Sequence, residues 1–462
     1  MKFRLRLLVL ITYFGKTEKM YKKLRVECAD LTIGMYICEL DRPWLDSPFL
    51  LQGFFIKDND DIDTVSSVCN HVFVDKIVER DKLTNNLPSA SSAMLLNIKV
   101  TDPATAKPGV RVSGAADETQ RNQPKKTEQI ITEFFPGREL RKYHDTVSWR
   151  DETRNARRAI AYLYDYIAKF MKVSVRGDRV DLLNVKKAVE PMVESAIRNP
   201  DACLWWTTMK PAAEYNHDSA LRSSVFSVVL GRQLGLPKHD LLSLAVGGLL
   251  FDIGKLRMDD SILLADRRLT PEEISAMQRH VEVGLELLSR SGLTDQDTID
   301  FIENHHERFD GSGYPHALAG NAIPAFGRMA GLVDCYNAIT SSRRYASIKS
   351  PAEAINQLYK LKGVHFHRDL IDEFIQAIGV YPVGALVELS TGEVAVVVAQ
   401  SRTRRLRPIV LLLLDGNKKP AAEGRYIELE ETTHMDDGGK LDIVKNLEPN
   451  AYDIDMAAVK LK

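Results

Sequence analysis

Residues 241–256 read LLSLAVGGLLFDIGKL, a strongly apolar helix that runs into an acid, Asp252, and a base, Lys255. Apolar residues also recur three and four apart in LRSSVFSVVLGRQLGL (221–236) and WRDETRNARRAIAYLYDYIAKFM (149–171), the period of helices with a buried face. The helical pattern extends over 147–380 and predicts a mainly α fold, a bundle. A carboxylate beside Leu249, Leu250 and Ile253 is expensive to bury unless it is paired with a cation. Asp334, beside Leu332 and Val333 in GRMAGLVDCYNAIT (327–340), poses the same problem.

Around these acids lie further groups suited to metal binding. His280 sits in MQRHVEVGLELL (277–288), and His305-His306-Glu307 precede Asp310-Gly311-Ser312-Gly313-Tyr314-Pro315. Taken singly, a histidine on an amphipathic helix is more often packed or at the surface than a ligand. Two buried acids with three histidines form the mixed imidazole and carboxylate set that iron, manganese or nickel accepts. A helical bundle can bring such side chains to one interior point.

The string HHERFDGSGYPHALAGNAIPAFGRMAGLVDCYNAITSSRRYAS (305–347) resembles the signature of the HD-GYP family, metal-dependent phosphodiesterases of cyclic di-GMP in bacterial signalling. The similarity covers roughly 200–380, including LGRQLGLPKHDLLSLAVGGLLFDIGKL (230–256), and is strongest over 305–345. Residues 21–80 resemble the small domain of unknown function often found ahead of it. The resemblance implies an HD-type helical bundle and two half-sites for metal. One would use positions 219, 251, 252 and 334. The other would use Asp252, bridging, with His280, His305 and His306. Lys255 would contact a substrate phosphate. The loop of Asp310, Gly311, Gly313, Tyr314 and Pro315 would meet substrate or partners, including diguanylate cyclases of the GGDEF type.

Two departures from the family pattern bear on activity. The pair at 251–252 is Phe-Asp rather than His-Asp, and the upstream ligand position, 32 residues earlier, is Ser219 in AEYNHDSA. Phenylalanine has no lone pair to offer, and a serine hydroxyl is a weak ligand. The first half-site is expected to be degenerate and the chain to hold one ion rather than two or three. Three readings follow: a weak or inactive phosphodiesterase acting through ligand or partner binding, an active enzyme in which His217 or Glu214 supplies a ligand, and a scaffold without ligand. His217 lies two residues from 219, a rotation of about 200° on a helix, and is expected to face solvent.

The remaining chain frames this domain. Its 462 residues suggest two or three domains. With 62 Lys+Arg against 63 Asp+Glu the net charge is −1, which gives no global attraction to nucleic acid or anionic membrane. The arginines at 402, 404, 405 and 407 are read as a solvated turn. Five scattered cysteines without a C-x-x-C pair argue against a disulfide framework or a zinc ribbon and for a reducing, cytoplasmic setting. Leu5–Phe14 is apolar but about half a bilayer span, and Met20 is an alternative start, leaving 1–20 outside the fold. Residues 21–80 show short alternating strands, among them HVFVDKIV (71–78), and predict a small α+β domain. Low-complexity sequence marks 81–146 as a linker. After Pro382 the pattern returns to strands, with Thr391-Gly392 as a turn, so 381–462 is a small β appendage.

Overall fold

The computed structural model describes residues 22–33, 35–41, 54–56, 59–76, 134–174, 179–209, 215–263, 269–341, 350–402, 404–421, 424–431, 441–449 and 451–459, with 265, 267 and 461. The expected early start, the apolar run at 5–14, Ile77, most of the 81–146 linker and Glu214 lie outside them. The chain divides into two compact units, Met1–Ser47 with Leu51–Asn86, and Pro48–Leu50 with Leu87–Lys462.

In the first unit β1 (Lys22–Glu27), β2 (Tyr36–Leu40), β3 (Phe54–Phe55) and β4 (His71–Lys76) form an antiparallel sheet, order β1-β4-β2-β3, with α1 (Asn59–Val68) between β3 and β4. The alternation in β4 does what a period of two requires. Val72 and Val74 are buried with Ile37, Leu40, Ile56 and Val65, while His71 and Phe73 point to the other face. This is the expected α+β unit.

The second unit is the expected helical bundle with a β appendage. Its helices are α2 (Trp149–Ser174), α3 (Leu182–Arg198), α4 (Pro200–Thr208), α5 (Tyr215–Gln233), α6 (Lys238–Leu250), α7 (Asp260–Leu263), α8 (Pro271–Gln278), α9 (His280–Arg290), α10 (Gln296–Asn304), α11 (Ala325–Thr340), α12 (Pro351–Lys360) and α13 (Arg368–Ile378). Sequence signals set several of the starts. Thr270 with Glu273, and Ser350 with Glu353, form reciprocal capping boxes ahead of α8 and α12, each followed by proline in the first turn. Helix α5 is the central one, packing on α2, α3, α4, α6, α11 and α13. No described helix is long and apolar enough to cross a membrane.

Residues 134–146, read from sequence as the end of a linker, are instead packed on the bundle. Phe135 is buried against Phe326, and Arg138 pairs with Asp240 and with Asp297 at 2.7 Å. Tyr143 donates its hydroxyl to the Leu236 carbonyl at 2.8 Å.

The C-terminal sheet comprises β5 (Leu386–Leu389), β6 (Val394–Ala399), β7 (Ile409–Leu414), β8 (Tyr426–Glu428) and β9 (Ile443–Asn446), antiparallel in the order β8-β7-β6-β5-β9. Gly392, at φ 78°, makes the expected turn between β5 and β6. Every residue of β6 is buried, and the strand packs on α4. The arginine run is not a solvated turn except at Arg404, which is exposed. Arg402 bridges Asp145 and Asp201 at 2.8 Å each, Arg405 is buried and donates to Gln376, and Arg407 pairs with Asp442 at 2.5 Å. Burial pushes the Asp201 carboxyl upward, against the opposing pull of Arg402.

Candidate metal centre

Four predicted ligands converge from helix ends. Asp252 follows α6, His280 opens α9, and His305 and His306 follow α10. One atom from each of Asp252, His280, His305 and His306 lies within 4.8 Å of every other. Glycine at 254 makes this approach possible. A Cβ there would sit 1.9 Å from the His280 carbonyl oxygen, so a larger residue would drive the turn after Asp252 away from α9.

Hydrogen bonds behind the imidazoles fix their tautomers. His280 Nδ1 lies 2.7 Å from the Met277 carbonyl oxygen and His305 Nδ1 2.6 Å from that of Ile302. A carbonyl only accepts, so both Nδ1 atoms carry the proton, and each ring in its neutral form presents a lone pair at Nε2. Those lone pairs face each other at 3.2 Å. Asp252 Oδ1 stands 3.3 Å from one and 3.8 Å from the other, and it is buried without a hydrogen bond. Three acceptors aimed at one point repel unless a cation sits among them, so this donor set fits a divalent transition metal.

The electrostatics agree. Burial opposes ionisation of Asp252, yet the charge of Lys255, with Nζ 2.6 Å from Oδ2, draws its carboxyl well below the usual range. Burial pushes His305 down to about 3 and His306 down as well. Both are therefore neutral, the form that ligates metal.

The remaining predicted residues sit differently. Asp334 is outside the group of four, with Oδ2 3.7 Å from His306 Nδ1. Phe251 is 2% exposed, its ring edge-on to His305 at 4.9 Å and 6.5 Å from Phe301. The Ser219 hydroxyl accepts from Asn337 Nδ2 at 2.9 Å. His217 corrects an expectation: it does not face solvent but is 6% exposed, with its ring 6.3 Å from Tyr164 of α2. A central helix has no outward flank. His217 is not in the metal-type group either.

The glycine-rich loop is pinned to the site. Tyr314 stacks on His306 at 4.5 Å. Glu307, buried, accepts from the backbone N–H of His316 at 2.7 Å and of Leu318 at 3.0 Å. A Cβ at Gly313 would lie 2.5 Å from the His306 carbonyl oxygen, which explains glycine there. The tethering role of Glu307 and the contacts of Asn337 were not foreseen. Their signals were spacing alone: Glu307 adjoins the two histidines, and Asn337 lies one helical turn beyond Asp334.

Comparison with known proteins places these features in a family. An HD domain profile matches residues 208–370, a "Domain of unknown function (DUF3391)" profile 23–184, and a "KOW domain associated with HD domain" profile 386–452. The chain is 28% identical over 414 residues to "Cyclic di-GMP phosphodiesterase PA4108" of Pseudomonas aeruginosa, covering 89% of this chain and 90% of that one. It is 35% identical over 156 residues to "Cyclic di-GMP phosphodiesterase response regulator RpfG" of Xanthomonas campestris, over 34% of this chain and 41% of the relative. A "Cyclic di-GMP phosphodiesterase" of Thermotoga maritima is 32% identical over 148 residues, 32% of this chain and 40% of the relative. The chain thus spans nine tenths of the first relative and about two fifths of the other two. The chain carries an HD domain preceded by a domain of unknown function whose match reaches into the first helix of the bundle, and Tyr314 of the Gly313-Tyr314-Pro315 loop, which carries the resemblance to the HD-GYP family, stacks on His306.

Proposed function

We propose that this chain is a cytoplasmic protein of cyclic di-GMP signalling whose site takes one divalent ion, iron, manganese or nickel. It acts mainly by binding ligand or partner rather than by hydrolysis. One observation carries the reading: acceptors of Asp252, His280 and His305 face a common point, while the positions that the resemblance gives to a second ion hold Phe251, buried against His305, and Ser219, bonded to Asn337. Asp252, His280, His305 and His306 would hold the ion. A bound divalent ion polarises a phosphate oxygen and lowers the pKa of water. Lys255 places an ammonium beside Asp252, suited to a phosphate, and the His306–Tyr314 stack forms an aromatic wall next to it. With the loop of Asp310, Gly311, Gly313, Tyr314 and Pro315 it would also offer the docking edge for a GGDEF-type diguanylate cyclase.

Lacking a paired ion to generate and clamp the attacking hydroxide, the site is expected to hydrolyse slowly, by about 10² to 10⁴ relative to an intact two-ion site. The second reading, an active phosphodiesterase, draws support from the complete group of four with Lys255 and from the name of the relative matched over nine tenths of its length. Purified protein with excess Mn²⁺ or Fe²⁺ separates the two. Binding of cyclic di-GMP without appreciable turnover supports the proposal; turnover near about 10 s⁻¹, ordinary for an enzyme, would sink it.

A further inference from the structure

We infer that Asn337 is a third position disarming the first half-site, because its amide would set the wrong tautomer on any histidine placed at 219. The inference rests on the one-ion reading above. The amide is locked in orientation. Its Oδ1 accepts from Arg222 Nε at 2.9 Å and from the Ser341 hydroxyl at 3.0 Å. A guanidinium only donates, so the amide cannot turn over without setting donor against donor. Its Nδ2 therefore points at α5, toward the Ser219 hydroxyl at 2.9 Å, the Ser219 carbonyl at 3.1 Å and the Ser223 hydroxyl at 2.9 Å.

An imidazole grown from position 219 would meet these N–H groups with its near nitrogen, Nδ1. Accepting there puts the proton on Nε2 and removes the lone pair that an ion needs. His280 and His305 show the opposite arrangement in the same site. Each has a carbonyl acceptor behind Nδ1, which leaves Nε2 bare. An acceptor at 337 would reproduce that arrangement, and Arg222 is placed to stabilise a carboxylate there.

The test is ion stoichiometry: elemental analysis after loading with Mn²⁺ and removing excess. Wild type and the Ser219→His/Phe251→His variant are each expected to hold one ion per chain. Adding Asn337→Asp to the double variant is expected to raise this to two. A double variant that already holds two, or a triple variant still at one, overturns the inference. Wild type holding none or two sinks the one-ion reading instead. The ion retained at Asp252 reports that each variant has folded. Should the triple variant fail to hold even that one, ¹⁵N shifts of the imidazole in Ser219→His and Ser219→His/Asn337→Asp decide the matter. The expected proton position moves from Nε2 to Nδ1; an unchanged tautomer overturns the inference.

Discussion

The two flanks of Asp252 are built on the same bundle and have opposite chemistry. Toward His280 and His305, proton acceptors crowd a single point and backbone carbonyls stand behind the rings. At Phe251 and Ser219, an aromatic ring stands edge-on to His305 and a locked amide already occupies the serine hydroxyl. The contrast teaches that a ligand is defined as much by what stands behind it as by its own atoms. A histidine backed by a carbonyl is prepared for metal, whereas a polar residue backed by an amide N–H is already satisfied.

The comparison breaks most sharply at the shared residue. Asp252→Asn removes the charge and leaves Lys255 facing a cluster of neutral groups, so ion binding is expected to fall at least about 100-fold, beyond the range seen for outer-shell partners. Calorimetric titration with Mn²⁺ measures it, and affinity within threefold of wild type would erase the distinction between the flanks. On the other flank Phe251→Ala is expected to lower stability by about 3–5 kcal/mol, as for other buried aromatic truncations, while changing ion affinity less than tenfold. Urea unfolding and the same titration separate these effects; a larger loss of affinity than of stability would make Phe251 part of the ion site.

A smaller effect concerns acid. His305 is held neutral by burial, with its value pushed down to about 3, whereas an unfolded histidine titrates near 6.5. Between these values the unfolded chain binds a proton that the folded chain refuses. Ion-free protein should therefore lose stability as pH falls below about 6.5, by up to about 1.4 kcal/mol per pH unit for this one residue. Thermal melts at pH 7.5, 6 and 5 would show it. A bound ion should add its own protection where it stays bound, and ion-free melting that is flat across this range would contradict the burial argument.

Much of this was legible in the sequence because it is periodic or local. The helices, the two sets of strands and the Thr391-Gly392 turn follow from hydrophobic spacing, and Phe251 and Ser219 stood out against the resembled pattern. The rest depends on partners distant in sequence. His217 reads as exposed because the two-residue rotation on α5 turns it away from position 219, but α2 covers that side. The arginine run looked solvated because Asp145 and Asp201 lie over 200 positions earlier. Asp334 looked equivalent to the other acids, and only the placement of α11 sets it beside His306 rather than inside the group of four.

The Arg402 bridge has a consequence for the order of events at the ribosome. Asp145 and Asp201 emerge with the first helices of the bundle, and the residue that neutralises them both follows 257 and 201 positions later. At about 5–20 residues per second, Asp201 precedes the arginine that pairs with it by on the order of ten seconds or more, while Asp145 meets Arg232 earlier. Arg402, between β6 and β7, is therefore a clasp that fastens a later-made sheet onto helices made before it.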